Sequence, residues 1–190
     1  MKHLPKLQDR DRLTRKRYLY VAIDRASRYV HLAVKNDETT ASAVAFLTDA
    51  LAAFPFRVTH VLTDRGSCFT ADAFEAACAR HGVQHRKTKP YTPKTNGMIE
   101  RFNGRVQREV LGITLYSHRD LEIVLGGFNV AYNGRRQRVL DGLSPEMVLR
   151  QRLGADPALA NRTYKPPSPT AIKRALRVVA DAKEVSHPDS

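Results

Sequence analysis

Two β-prone apolar runs stand almost back to back in this chain, residues 18–23 (Tyr-Leu-Tyr-Val-Ala-Ile) and 29–34 (Tyr-Val-His-Leu-Ala-Val). Runs this rich in aromatic and β-branched residues read as buried strands. The polar stretch Asp24-Arg25-Ala26-Ser27-Arg28 between them reads as the turn that joins them. Ahead of this pair, residues 2–17 are polar and basic, with 8–12 as the turn of a further hairpin. After it, Thr39 or Thr40 is placed to cap a helix carrying Val44, Leu47, Leu51 and Phe54, which Pro55 closes. Residues 58–63 form the next strand. Thr70 then opens a helix with Phe74, Ala77, Cys78 and His81 on its stripe, and Gly82 stops it. A short strand over 83–87 precedes a helix whose apolar residues, Ile99, Phe102, Val106 and Val110, recur at spacings of three, four and four. Further helices are expected over about 120–132 and after Ser144-Pro145. The order strand–strand–helix–strand–helix–strand–helix defines a mixed α/β domain.

A chain of 190 residues suits one such domain with a tail. Its net charge of +13 favours an anionic partner, with nucleic acid the default; the competing reading is a merely soluble basic surface. No apolar run approaches the roughly 18 residues of a membrane span, and no apolar signal-peptide core stands at the N-terminus. A cytoplasmic, nucleoid-associated protein with no membrane partner is therefore expected. Two cysteines, Cys68 and Cys78, make neither a disulfide framework nor a metal-ligand set, and Cys78 sits on a helix stripe as a small core residue. The seven histidines show no paired ligand spacing, since Gly82 interrupts the helix between His81 and His85.

Two acids stand out. Asp64 ends the apolar run of its strand and opens Asp-Arg-Gly-Ser-Cys-Phe-Thr, where Gly66 permits the bend. Glu100 lies off the apolar stripe in the first turn of its helix, after a turn-forming segment with Pro90, Pro93 and Asn96-Gly97. Asn103 and Gln107 continue its polar face, and Lys94, Arg101, Arg105 and Arg108 crowd the same helix. A carboxylate at a helix start is also favoured by the helix dipole alone. Likewise the basic residues are either phosphate contacts or a solvated helix face. Residues 65–99, thirty-five in all, separate the two acids.

The segments Thr63-Asp64-Arg65-Gly66-Ser67-Cys68-Phe69 and Pro93-Lys94-Thr95-Asn96-Gly97-Met98-Ile99-Glu100-Arg101-Phe102-Asn103, at this separation, resemble the integrase core of insertion-sequence transposases and retroviral integrases. Residues 128–136 and 140–145 resemble that family's closing signature, with Gln137 where a His is usual. The resemblance runs from about residue 2 to 149, which sets a core over 1–150 and a basic, Pro-containing, partly disordered tail with some helix over 151–190.

The resemblance implies a ribonuclease-H-like fold, a mixed five-stranded sheet flanked by helices, with its first strand here missing or incomplete. It implies DNA transposition or integration by metal-dependent phosphoryl transfer, with 3′-end cleavage and strand transfer. The partners would be element ends and target DNA, and the active full-length form a homo-oligomer. Asp64 and Glu100 would be catalytic and would hold Mg²⁺ or Mn²⁺. Lys94, Asn96, Arg101, Asn103, Arg105 and Arg108 would contact DNA. A third acid belongs on the first strand, and the alignment puts it just ahead of Lys2-His3-Leu4-Pro5-Lys6. Asp24 is the substitute metal ligand within the chain, with plain turn chemistry as its other role; Asp9 and Asp11 sit in a charge run. The expectation is a shortened, catalytically impaired core. Its alternatives are a non-catalytic DNA- or partner-binding remnant and a ribonuclease-H-like nuclease.

Overall fold

The computed structural model describes residues 1–8, 14–88, 93–113 and 117–186, and the side chains of these apart from 8, 93–96 and 183–186. The two apolar runs form the strands β4 (Tyr18–Ile23) and β5 (Val30–Lys35), paired antiparallel from Tyr18↔Lys35 to Ile23↔Val30. Arg28 closes the turn in the left-handed region at φ 64°. On the other edge of β4 lies β1 (Lys2–His3), which covers only Leu19 and Tyr18. A separate small hairpin joins β2 (Leu7–Gln8) to β3 (Thr14–Arg15).

Most helices follow their sequence signals, except that Thr70, expected to open the helix of Phe74, closes a one-turn helix instead, and Ala71 stands at the next N-cap without a side-chain bond. Thr39 caps α1 (Thr40–Ala53) by accepting from the Ser42 N–H. The strand β6 (His60–Thr63) leads through the one-turn α2 (Ser67–Thr70) into α3 (Asp72–Arg80). Gly82, at φ 65°, then turns the chain into β7 (Gln84–Lys87), as only a residue without Cβ does freely. α4 (Pro93–Glu109) and α5 (His118–Gly134) follow. Pro145 opens α6 (Pro145–Ala155) under a Ser144 cap, and α7 (Pro169–Ser186) ends the described chain.

Successive residues of β4 face opposite ways and seed two cores. Leu19, with Val30 and Leu32, packs against Phe102 and Val106 of α4, Val110 just past its end, and Leu121, Leu125 and Phe128 of α5. Tyr20 packs against Phe46, Leu47 and Ala50 of α1 and Phe74, Ala77 and Cys78 of α3. The α4 residues are those of its apolar stripe, and Cys78 is the small core residue its position implied.

One expectation is realised in pieces. In place of a continuous five-stranded sheet, the described strands form a three-stranded sheet in the order β1-β4-β5 and a parallel pair β6-β7. The physical reason is that β1 is two residues long and covers only the start of β4, so it does not bridge β4 to β6.

Two polar or small residues of α5 hold the outer layers. Asn133 acts as a strand residue would, its Oδ1 accepting from the Val30 N–H at 2.9 Å and its Nδ2 donating to the Val30 carbonyl at 2.8 Å. Gly127 lets α7 lie directly on α5, where a Cβ would collide with the Ala175 carbonyl oxygen and the Val179 side chain. The stretch expected as a tail therefore carries an 18-residue helix that buries Val179 against α5. The expected core boundary at 150 falls inside α6.

Asn133→Ala leaves the N–H and C=O of Val30 buried and unpaired. It is expected to cost about 3 kcal/mol of unfolding free energy in urea titrations; a loss below about 1 kcal/mol would contradict this role.

Candidate active site

Asp64 leaves β6 at its C-terminal end, and its exposed carboxylate is oriented locally. Oδ1 accepts from the Gly66 N–H at 2.9 Å, and a Cβ on residue 66 would stand 3.0 Å from that same oxygen. The bend itself makes no demand for glycine, since Gly66 sits at φ −57° and ψ 142°; what a side chain there would crowd is the Asp64 oxygen. Beneath the turn, burial pushes the Cys68 thiol up, and the charge of Asp64 adds to the shift.

Glu100 lies about two turns into α4 rather than in its first turn as expected, because the helix begins at Pro93 and runs through the Asn96-Gly97 pair. It is exposed and makes no ion pair or hydrogen bond among the described residues. It shares a face with Gly97, Arg101, Gly104 and Arg108, which recur at helical spacing. The two arginines lie back over the two glycines. A Cβ on Gly97 would be 3.3 Å from Arg101 Nη1, and one on Gly104 would be 3.6 Å from Arg108 Nη1. Both arginines are exposed. The face combines a carboxylate, two guanidinium groups and a backbone bare of side chains at two positions.

The remaining expected residues divide clearly. Asp24 is committed to its turn, with Oδ2 accepting from the Ser27 N–H at 2.7 Å and the Ser27 hydroxyl at 2.6 Å. Among the described residues no three His, Cys, Asp or Glu side chains gather into a group able to hold a metal ion. Arg105 turns inward, with its Nε 3.4 Å from Glu109 and its guanidinium 5.5 Å over the Tyr132 ring. Asn103 faces inward too, and its buried Oδ1 has no hydrogen-bond partner. The side chains of Lys94 and Asn96 lie outside the described residues, as do Asp9 and Asp11.

Two contacts brace the site without any signal in the sequence. Arg28, from the β4–β5 turn, donates to Met98 Sδ at 2.9 Å and so ties that turn to the start of α4. Lys2 on β1 donates to Gln107 Oε1 at 2.8 Å, and burial pushes its ammonium down. Both depend on where α4 crosses the sheet.

Asp64 and Glu100 present oxygen donors only, the kind a hard divalent cation takes alongside water or phosphate.

An α/β core with an acid at a strand end and a second acid on a basic helix finds its match in one family of domains. Family models described as integrase core domain match residues 4–93 and 81–145, together most of the chain. The chain belongs to the integrase core family. It is 24% identical over 128 residues to the uncharacterized protein K02A2.6 of Caenorhabditis elegans, covering 67% of this chain and 10% of that protein. It is 28% identical over 89 residues to the Gag-Pro-Pol polyprotein of Human T-cell leukemia virus 2, covering 47% of this chain and 6% of the polyprotein. The chain thus spans a tenth or less of the length of these curated relatives. Among solved structures, the catalytic core domain of BIV integrase superposes with a TM-score of 0.59 at 23% identity, covering 72% of this chain and 88% of that one. The fold is accordingly the ribonuclease-H-like fold of integrase cores. No described helix is long and apolar enough to cross a membrane.

Asp24→Ala is expected to lower stability by about 1–2 kcal/mol through loss of the Ser27 contacts, while leaving Mn²⁺ affinity unchanged. Urea unfolding and metal titration check the two halves. A stable variant with weakened metal binding would return Asp24 to the metal site.

Proposed function

We propose that this chain is the core of a DNA-integrating or transposing protein, binding DNA along the exposed face of α4 and holding one divalent cation, Mg²⁺ or Mn²⁺, between Asp64 and Glu100. The observation that carries the reading is the Glu100 face itself, a carboxylate with no partner among the described residues beside Arg101 and Arg108, whose guanidinium groups lie over two glycines. The glycines allow a phosphate backbone to come close to the helix. The guanidinium groups supply charge-assisted donors to its oxygens, a contact that positions a strand without reading its sequence. Lys94 and Asn96 are proposed as further DNA contacts, and Asn103 and Arg105 as supports of the helix face.

When bound, the cation would polarise a phosphoryl group and stabilise charge on an in-line displacement. The chain's own residues do the rest. Asp64, its Oδ1 fixed by the Gly66 N–H, presents its remaining oxygen to the site. Glu100 presents a carboxylate with no competing partner among the described residues. DNA ends and target DNA are the proposed substrates, and assembly into a homo-oligomer is part of the proposal.

The chain as it stands is proposed to join DNA poorly. The strand beside β4 contributes Lys2 and His3, and no third acid gathers with Asp64 and Glu100 among the described residues. A bridged pair of ions roughly 3.5–4 Å apart, which serves both the attacking and the leaving oxygen, needs that third carboxylate. DNA binding with little catalysis is the second reading, and the same missing acid favours it.

Duplex binding measured across salt concentrations should give a steep negative log–log slope. Arg101→Gln and Arg108→Gln should each flatten it by about 1, whereas Arg105→Gln should lower thermal stability with little change in slope. A shallow slope in the unsubstituted chain would contradict DNA binding. In a strand-joining assay with Mg²⁺ or Mn²⁺ the chain should form only traces of joined product. Robust joining that Asp64→Asn abolishes would overturn the impaired reading.

A further inference from the structure

The parallel register of β6 and β7 sets Thr63 opposite Lys87 and Val61 opposite His85. Thr63, His85 and Lys87 therefore share one face of that pair, the face that meets α3. Glu75 of α3 reaches both β7 side chains, with Oε1 2.7 Å from Lys87 Nζ and Oε2 3.0 Å from His85 Nδ1. On the far side of the imidazole, Nε2 lies 2.8 Å from Thr63 Oγ1. That hydroxyl in turn lies 2.9 Å from the carbonyl oxygen of Asp64. The His85 side chain is only 1% exposed, and Phe74 packs edge-on to its ring at 5.0 Å.

A sealed ring between a carboxylate and a hydroxyl has a definite hydrogen inventory. A carboxylate oxygen only accepts, so the single hydrogen of a neutral ring belongs on Nδ1, toward Glu75, although the contact is off the ideal hydrogen-bond line. Nε2 is then a bare acceptor, and the Thr63 hydroxyl is the one group that can donate to it. The hydroxyl carries one hydrogen, which it shares between His85 and the Asp64 carbonyl. The series hydroxyl, imidazole, carboxylate is also that of an activated nucleophile. Here, however, the hydroxyl is turned onto the backbone of the next residue, so it serves position rather than attack.

We infer that Glu75, His85 and Thr63 are positioning residues which fix the end of β6 and so set the direction in which Asp64 presents its carboxylate. The inference rests on the reading of Asp64 as a cation-holding acid. Glu75 orients the imidazole, the imidazole anchors the Thr63 hydroxyl, and the Gly66 N–H fixes Oδ1 from the other side. Nothing in the residue spacing foretells this series, because Thr63 and His85 meet only through the strand register.

The test uses the full chain and two substitutions. Thr63→Val keeps the β-branched shape and removes the hydroxyl, while Thr63→Ser keeps the hydroxyl. Mn²⁺ dissociation constants from water-proton relaxation should rise about 10-fold in Thr63→Val and stay close to the unsubstituted value in Thr63→Ser. Thermal unfolding should fall modestly in Thr63→Val, where the buried Nε2 loses its donor, and hold in Thr63→Ser. Nitrogen-15 NMR of the unsubstituted chain at alkaline pH should show His85 with its hydrogen on Nδ1. Unchanged Mn²⁺ affinity in Thr63→Val, or a hydrogen on Nε2, would overturn the inference. A chain that binds no Mn²⁺ would instead refute the cation reading, and the NMR result would then decide the positioning series by itself.

Discussion

The antiparallel pairing of β4 with β5 is the constraint from which the rest of the structure follows, because it fixes Leu19 and Tyr20 on opposite faces of one strand. Both are essentially fully buried, and each anchors its own core. A buried side chain of this size contributes about 2–3 kcal/mol relative to an exposed one, and neither core has a substitute for it. One face holds α4 and α5, and the other holds α1 and α3. The site inherits this arrangement. Asp64 comes from the β6–β7 unit that leans on α3, and Glu100 comes from α4 on the opposite layer.

That origin in two layers accounts for the chemistry. Asp64 stands at a strand end and Glu100 on the solvent face of α4, so both acids reach solvent while the elements that carry them stay anchored by buried residues. Each carboxylate keeps at least one oxygen free. The neighbouring contacts, Gly66 on Asp64 and Arg28 on Met98, act on the backbone that carries the acids and leave the acids themselves available. Asp24 shows the contrast. Its carboxylate is drawn into the turn by the N–H and hydroxyl of Ser27, and so it stabilises the hairpin on which the first core depends.

Much of this was legible before any coordinates. The β4–β5 pair, the Thr39 and Ser144 caps, the α4 stripe and the core role of Cys78 follow from local periodicity and capping chemistry, which a sequence states directly. The acids Asp64 and Glu100 stood out by position and separation. What stayed hidden depends on how distant elements meet. The division of the sheet follows from a two-residue β1, and strand length is poorly marked in a short polar segment. Asn133 reads as any polar residue late in a helix, yet it pairs with Val30 across 103 positions of sequence. Arg105 reads like its basic neighbours until Glu109 and Tyr132 claim it. The docking of α7 hinges on Gly127, whose meaning appears only when Ala175 lies over it.

The central claim is that Asp64 and Glu100, carried by different layers, converge on one cation. Paramagnetic broadening by Mn²⁺ at a small fraction of the protein concentration, read in a backbone amide NMR spectrum of the full chain, tests it most directly. The account predicts that the amides around Gly66 and those around Gly97 to Gly104 broaden first and together. Broadening confined to one of the two segments, or centred elsewhere, would contradict it.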